Sequence, residues 1–376
     1  MSETAFYETF LKETASRIND VELHGHIDHA RRNYKKSFGE AITQFTELES
    51  ARRRAAHIRW KSINDLEKYL IQFESTFIKS GGKVVWARDA AEACAEINAI
   101  IQKAQAKVVV KSKSLTADEI GLGQALQTAG VSWTETDLGQ FILQLAQEEP
   151  SHMVMPALHK SPEEVRYLFN KVGIQTNSAQ AIELSLRAAD HIREKDLTPD
   201  VGITGANFLL ADEGAVAITE NEGNARLSAA FPKTHIVIVG IEKMIPSIND
   251  LGLFWPLLAT YGTGQQVTVY NSIISGPRQK DETDGPEEMY VILLDNGRTD
   301  LLANAKSREA LYCIRCGACL NACPIYKNIG GHAYDTTYSG PIGSIITPHL
   351  RGMHDYKHLS YASSLCGNCT EVCPVK

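Results

Sequence analysis

The sequence has 376 residues, a hydrophobic fraction of 43%, a charged fraction of 22% and a net charge of −7. Such a chain can bury a substantial core in more than one domain, and its negative charge argues against a general nucleic-acid surface. The first residues lack the layout of a secretory signal, and no run approaches the roughly 18 apolar residues of a spanning helix. We therefore expect a cytoplasmic protein with at most peripheral membrane contact.

Residues 3 to about 80 predict helices, because glycines are few and charges are spread between apolar positions. The run from Arg52 to Lys61 is basic. We interpret it as a solvated helix face, with docking to an acidic partner as the alternative. Gly81 and Gly82 predict the end of the last helix.

From residue 83 the pattern changes to strands that alternate with helices. Strands are predicted at 83–87, 107–110 and 131–135, and helices at 90–105, 116–129 and 138–147. This alternation predicts βαβ units and a parallel sheet. A capping-box pattern begins at Thr116, and the lone Cys94 is predicted to be a small buried hydrophobe.

Beyond residue 200 the predicted strands are denser, at 207–211, 214–219, 225–229, 235–239, 266–274 and 289–294. Residues 212–214 predict a hairpin turn, and a helix over 299–311 leads into a cysteine-rich tail. The sequence thus predicts an α/β fold in three parts: a helical region (1–80), an α/β domain (81–298) and a helical, ferredoxin-like module (299–376).

The tail carries the most specific chemical signal. Cys313, Cys316, Cys319 and Cys323, followed by a proline, have the C-x2-C-x2-C-x3-C-P spacing of bacterial ferredoxins, which bind a [4Fe-4S] cluster. A shorter copy follows, with cysteines at Cys366, Cys369 and Cys373 and again a proline. Gly317 and Gly367 stand where a tight curl needs a residue that tolerates positive φ.

In two-cluster ferredoxins the last cysteine of each motif binds the other cluster. That rule gives cluster 1 the ligands Cys313, Cys316, Cys319 and Cys373. It gives cluster 2 the ligands Cys323, Cys366 and Cys369. The sequence therefore predicts two [4Fe-4S] clusters that tie the two motifs into one electron-transfer unit.

The second motif lacks its first cysteine, because Ser363 stands at that position. Cluster 2 is then either a [4Fe-4S] cluster with a non-cysteine or exchangeable fourth ligand, or a [3Fe-4S] cluster. Structural zinc is a poorer interpretation, since zinc sites use paired cysteines and four ligands. Disulfides fit less well still, because cysteines this dense and beside prolines suit metal binding in a reducing compartment.

Several longer runs resemble the lactate utilization protein B family. In the tail the matching runs are 330–334, 338–343 and 361–366; in the α/β region, which resembles that family's LUD domain, they are 111–114, 135–139, 150–152, 202–207, 221–224 and 262–265. The resemblance implies a fold similar to the sugar-isomerase and coenzyme-A-transferase group and seven cysteines that bind two [4Fe-4S] clusters. It also implies a place in a complex that passes electrons from L-lactate towards the respiratory chain. Family members continue past the second motif, so the sequence is either truncated or shorter than theirs.

Polar loops of the α/β region could hold a ligand. Backbone N–H groups near 202–207 and 221–226 could bind a phosphate or carboxylate, with Arg226 as its partner and Glu222 as base or nucleophile. The alternative is that tight turns need these glycines and asparagines. His152 and His159 are predicted to be structural, with a shared metal as the alternative. Histidines between the motifs, at His332, His349, His354 and His358, either pack or face solvent, or one of them completes cluster 2 or tunes its potential.

Three functions follow as hypotheses. The first is a non-catalytic electron-transfer subunit of an L-lactate-oxidising complex. The second is an isomerase- or transferase-like LUD enzyme in which the clusters are structural or sensing. The third is an assembly protein that holds a complex together and whose own fold is stabilised by bound metal. No flavin or nicotinamide fingerprint is present in the sequence, so hydride chemistry is expected in a partner.

Overall fold

The computed structural model describes residues 3–196 and 198–376. The N-terminal region is helical, as predicted, with α1 (Glu3–Arg17), α2 (Val21–Ala41), α3 (Leu48–Asn64) and α4 (Leu66–Lys79). The last helix ends at the predicted glycines: Gly81 has φ +87°, and the Gly82 N–H donates to the Phe77 carbonyl at 3.1 Å. This left-handed residue followed by a long return bond satisfies carbonyls that the helix end leaves open.

The α/β region follows in alternating elements. Its first part contains β1 (Lys83–Ala87), α5 (Ala90–Lys103), β2 (Val109–Lys111), α6 (Leu115–Glu119), α7 (Leu122–Thr128), β3 (Trp133–Glu135), α8 (Leu138–Ala146), α9 (Pro162–Lys171) and α10 (Ala181–Asp196). Its second part contains β4 (Val201–Thr204), β5 (Phe208–Leu210), β6 (Ala215–Glu220), α11 (Asn224–Ala230), β7 (Thr234–Gly240), β8 (Met244–Ile245), α12 (Leu251–Thr263), β9 (Tyr270–Ile274) and β10 (Glu288–Leu294).

Six strands form one sheet in the order β1-β10-β7-β4-β2-β3, and every neighbouring pair is parallel. Strands β4, β7 and β10 are almost wholly buried, as expected for a sheet covered by helices on both faces. The chain moves from β2 to β3 on one side and then to β4 on the other side of β2. Loops that leave the carboxyl ends of β2 and β4 therefore flank a crevice, which is where open α/β sheets bind ligands.

A smaller sheet of four strands, in the order β8-β5-β6-β9, packs beside the parallel sheet. Strands β5 and β6 form the predicted antiparallel hairpin, and Gly214 in the turn has φ +56°. An added Cβ at Gly214 would lie 2.4 Å from the backbone nitrogen of Phe77, so the turn is pressed against α4. The hairpin thus joins the helical region to the sheet.

The tail is built of short helices: α13 (Arg298–Ala303), α14 (Ala318–Ala322), α15 (Pro324–Ile329), α16 (Gly340–Arg351), α17 (Met353–Tyr356) and α18 (Asn368–Glu371). One hydrophobic cluster runs through all three parts of the chain and includes Phe10, Ile58, Phe254, Leu320 and Tyr334. The division into domains at residues 80/81 and 298/299 stays a prediction. The tail packs against both the helical region and the α/β region through this cluster.

Four predicted elements differ from the structure. Residues 225–229 lie in α11, not in a strand, because the Glu220 carboxylate accepts the N–H groups of Ala225 and Arg226 and so satisfies the start of a helix. The predicted helix 116–129 is broken at Gly121, which has φ +64°, and Ser114 rather than Thr116 caps its first half. The predicted strand 266–274 is regular only as β9, and the predicted helix 299–311 is α13 followed by a separate 3-10 turn.

Candidate iron–sulfur centres and the adjoining cavity

The first motif curls through two left-handed residues. Arg315 has φ +60° and Gly317 has φ +79°, and helix α14 begins directly afterwards. The curl turns backbone donors towards sulfur, since the Arg315 N–H donates to the Cys313 Sγ at 3.3 Å. At the end of the motif, the Tyr326 N–H donates to the Cys323 Sγ at 3.5 Å from the first turn of α15.

The second motif repeats this backbone. Leu365 has φ +56° and Gly367 has φ +79°, and helix α18 begins at the next residue. Both glycines that were predicted to have positive φ have it. Because α14 packs against α18, the two curls lie side by side at the end of the tail.

The thiols gather in two groups. Burial, together with the neighbouring Cys313 and Cys373 thiols, raises the pKa of Cys316. Burial also raises the pKa of Cys319, with contributions from the thiols of Cys313, Cys316 and Cys373. Burial and the neighbouring Cys369 and Cys366 thiols raise the pKa of Cys323. We call Cys313, Cys316, Cys319 and Cys373 the first cysteine set, and Cys323, Cys366 and Cys369 the second cysteine set.

The two sets differ in exposure. In the first set Cys316 is buried, the other three cysteines are partly buried, and burial raises the pKa of Cys373 to about 11. Cys366 is exposed, and the Asn368 N–H and the Ser364 hydroxyl lower its pKa. Cys323 of the same set is buried and Cys369 is partly buried, so the second set reaches solvent only at its Cys366 edge.

These groups fit iron–sulfur clusters. Thiolates are the ligands that such clusters use, and hydrogen bonds to sulfur tune their potentials. Both features are present, because each set brings thiols from both motifs together with backbone N–H donors. Thiols whose pKa is raised by burial must lose their protons when metal binds.

The basic run of α3 is partly buried beside the first cysteine set, so its interpretation as a solvated face is wrong for two of its residues. Arg59 is 1% exposed and donates to the carbonyls of Glu242, Met244, Leu311 and Tyr312 at 2.5–3.0 Å. Arg52 donates to the carbonyls of Cys373 and Glu371. A guanidinium supplies several donors at once, so one side chain can bind carbonyls from several segments of the chain.

A buried ionic network joins the sheet to the first motif. Arg298 lies between the carboxylates of Glu242, at 2.5 Å, and Glu119, at 2.7 Å. Glu242 also accepts from Arg315 at 3.2 Å, and the Tyr338 hydroxyl donates to Glu119 at 2.7 Å. The Arg315 guanidinium lies 4.8 Å from the centre of the Tyr338 ring. Removal of one member would leave a buried charge without its partner, which is costly.

A cavity of about 280 Å³ lies at the carboxyl edge of the sheet, between the α/β region and the first motif. The loops after β2, β4 and β6 line one side, and Ile314, Arg315 and Cys316 line the other. Lys113 and Lys243 contribute amines, and burial lowers the pKa of Lys243 to about 7. The predicted ligand loops therefore meet at one place, next to a thiol of the first cysteine set.

The two loop residues that we singled out are placed differently. Glu222 lines the mouth of the cavity, where desolvation and the nearby Asp137 raise its pKa. Arg226 is exposed and does not line this cavity, so its pairing with an anion stays a prediction. Cys94 is buried and its thiol donates to the Ile120 carbonyl at 3.5 Å, which is the predicted structural role.

The histidines make other contacts. His152 is buried, and its Nδ1 accepts the N–H groups of Val154 and Met155, which is a structural role as predicted. His358 packs against Phe10 and Tyr356, and His354 contacts Asp355. His159 instead meets Glu148 and His332, a grouping that sequence spacing gave no reason to expect.

Comparison with known proteins gives the family. The LUD domain model matches residues 70–294, and the 4Fe-4S dicluster domain model matches residues 309–376. Lactate utilization protein B of Shouchella clausii is 41% identical over 98% of this chain and 77% of its own length. The chain belongs to the lactate utilization protein B family. The Bacillus subtilis protein of that name is 40% identical over 98% of the chain and 77% of its own length.

Among solved structures, a DUF162 family protein from Deinococcus radiodurans is similar with a TM-score of 0.34, 14% identity and coverage of 61% of this chain and 98% of that one. Family membership confirms the predicted α/β fold with a LUD domain and a cysteine module that binds iron–sulfur clusters. No helix among the described residues is long and apolar enough to cross a membrane.

Proposed function

We propose that this protein is an iron–sulfur electron-transfer subunit of a complex that oxidises L-lactate to pyruvate. Electrons pass through two [4Fe-4S] clusters. Cluster 1 is bound by Cys313, Cys316, Cys319 and Cys373, and cluster 2 by the second cysteine set. The observation that carries the proposal is the grouping of thiols from both motifs into two adjacent sets. The choice of lactate as the substrate is supported by the names of the relatives, which refer to lactate utilization.

The two sets suit a relay because they reach different parts of the molecule. Cluster 1 borders the cavity through Cys316, whereas cluster 2 reaches the surface at the exposed Cys366. A centre beside a cavity and a centre that reaches the surface provide an entry and an exit for electrons. The other subunits of the complex and a respiratory-chain acceptor are the proposed partners, and the cytoplasm is the proposed location.

Redox titration of the anaerobic protein tests this function. Clusters that are reduced when the partner subunits and L-lactate are added, and that stay oxidised when either is left out, support the relay. Clusters that never change oxidation state under these conditions would favour the assembly protein instead.

A second function is favoured by the cavity. Three loops of the LUD region and the first motif enclose a space of small-molecule size with polar walls, which is typical of a ligand site. In this alternative the LUD domain is the catalytic unit and the clusters are structural or sensing. It predicts that substitutions in the cavity abolish activity while the clusters remain redox-inert.

A further inference from the structure

The second motif places a serine hydroxyl where the first motif places a cysteine thiol. In the first motif, the Arg315 N–H donates to the Cys313 Sγ at 3.3 Å. In the second, the Leu365 N–H donates to the Ser363 Oγ at 3.1 Å. The φ angles of the two donors are +60° and +56°, and those of the glycines two residues later are both +79°. The local backbone is therefore the same, and Ser363 stands in the position of a ligand.

We propose that the Ser363 Oγ is the protein ligand of the fourth iron of cluster 2. The inference rests on the proposed function, because it requires a cluster on the second cysteine set. That set offers only three thiols for four irons. When the Fe–O bond forms, the serine hydroxyl gives up its proton to solvent, so the cluster gains an anionic oxygen ligand in place of a thiolate.

An oxygen ligand makes this iron the most easily lost. Soft thiolates suit iron–sulfur clusters better than a harder oxygen does, and Ser363 is exposed, so solvent can compete for the iron. His358, which lies nearby in sequence, packs against the rings of Phe10 and Tyr356.

Anaerobic full-length protein carrying Ser363→Ala or Ser363→Cys tests the assignment. Ser360→Ala is the matched control, because the exposed Ser360 hydroxyl donates only to the Lys357 carbonyl among its described contacts. We expect Ser363→Ala to lose about one iron per chain and to show a three-iron signal in electron paramagnetic resonance. We expect Ser363→Cys to keep that iron longer than the wild type in the presence of a chelator.

Two results separate the possible failures. If Ser363→Ala keeps the iron content and the spectrum of the wild type, another ligand or water holds the fourth iron and the assignment is wrong. The same holds if Ser363→Cys loses iron at the wild-type rate. If the wild type itself carries no cluster on the second set, the proposed function fails and the ligand assignment fails with it.

A second, independent observation concerns Glu148, His159 and His332. One ligand atom from each lies within 4.8 Å of the other two. His332 follows the first cysteine motif, whereas Glu148 and His159 belong to the loop before α9, so the group bridges the tail and the LUD region. The His159 Nε2 lies 2.8 Å from a Glu148 oxygen, and the two imidazole centres are 4.4 Å apart.

Hydrogen bonds fix which ring nitrogens carry protons. The His332 Nε2 lies 2.8 Å from the Glu149 carbonyl, which only accepts, so this nitrogen carries the proton and Nδ1 keeps a lone pair. The His159 Nε2 lies 2.8 Å from the Glu148 carboxylate, which also only accepts, so in the metal-free protein this nitrogen donates. The Ser151 hydroxyl lies 2.9 Å from the His159 Nδ1. When a metal binds Nε2, the ring proton moves to Nδ1, where the Ser151 Oγ can accept it while donating to the Pro156 carbonyl.

We infer that these three residues bind a zinc ion. Two neutral imidazoles and a carboxylate form the ligand set of many zinc sites, with water in the remaining position. The bonds from His332 to a carbonyl and from His159 to a hydroxyl are the outer contacts that metal-binding histidines usually make. Lys160 contacts the other Glu148 oxygen, so one oxygen of that carboxylate stays available.

The test counts zinc and iron in anaerobic holo-protein after dialysis against zinc chloride, with magnesium chloride in parallel. We expect one zinc per chain without loss of iron and no magnesium. His159→Ala, His332→Ala and the partly exposed Glu148→Gln should abolish zinc binding. Ser151→Ala should weaken it by about 10- to 100-fold. His354→Ala, which removes a histidine beside another carboxylate, should leave it unchanged. Zinc that binds equally to His332→Ala, or only as iron is lost, would overturn the site, as would no zinc in the wild type.

Discussion

The two cysteine sets share one backbone but lie in opposite surroundings. Both motifs curl through a left-handed residue and a glycine with φ near +79°. Yet Cys316 is 7% exposed and next to a buried ionic network, whereas Leu365, in the second motif, is 90% exposed. Motif spacing therefore determines how a cluster is held, and the rest of the chain determines the burial and charge around it. We expect the two clusters to differ in stability and in access to solvent.

Removal of one thiol from each set gives the largest effect. Cys316→Ala and Cys366→Ala should each remove one cluster and about half of the iron. Only Cys316→Ala should also lower the thermal unfolding midpoint strongly, because Cys316 belongs to the hydrophobic cluster shared by all parts of the chain. Iron analysis and anaerobic thermal unfolding measure both effects. An equal loss of stability in both variants would contradict the difference in surroundings.

Arg59→Leu should destabilise the region around the first set by on the order of 3 kcal/mol, because four buried carbonyls lose their donor. Arg53→Leu on the same helix is the control, since Arg53 is exposed and a surface change should cost no more than about 0.5 kcal/mol. Chemical denaturation of the iron-loaded protein compares them. Similar unfolding midpoints for the two variants would show that the buried guanidinium contributes little.

Controlled exposure to oxygen should damage the second set first. Cys366 is exposed and solvent reaches it directly, whereas none of the four cysteines of the first set is exposed. A three-iron signal should appear early in electron paramagnetic resonance while cluster 1 stays intact. The signal should be missing from Cys366→Ala, which lacks that cluster. Simultaneous loss of both clusters would mean that exposure does not set their lability.

The smallest effect is expected at the cavity. Glu222 is exposed at its mouth, and the relay needs no base there, so Glu222→Gln should leave lactate-driven cluster reduction unchanged. Stopped-flow absorbance with the partner subunits measures that rate. A large fall in the rate of cluster reduction, with iron content unaltered, would indicate that the LUD cavity has a catalytic role.

Local patterns predicted much of the fold and the cysteines. Apolar runs predicted β1, β2, β3, β7 and β10 of the parallel sheet but not β4, most of whose residues were interpreted as a polar loop. Motif spacing predicted the left-handed conformation of Gly317 and Gly367. The strand predicted at 225–229 failed because Glu220, several residues earlier, caps a helix there. The burial of Arg59 depends on carbonyls about 180 to 250 positions away along the chain.

The same limit applies to the site. The meeting of Glu148, His159 and His332 depends on how the tail packs against the LUD region, and no spacing in one segment encodes it. Likewise, the loops of the cavity were predicted from the sequence, but its closure by Arg315 and Cys316 was not. Contacts within a motif can be predicted from the spacing of its residues. Contacts between distant segments depend on tertiary packing and are seen only in the structure.

The crossed ligands are tested most directly by Cys373→Ala. This cysteine ends the second motif but lies beside Cys313, Cys316 and Cys319. Electron paramagnetic resonance of the anaerobic, reduced variant should therefore match that of Cys316→Ala, with cluster 1 perturbed and cluster 2 retained. A spectrum that matches Cys366→Ala, with cluster 1 intact, would contradict the account.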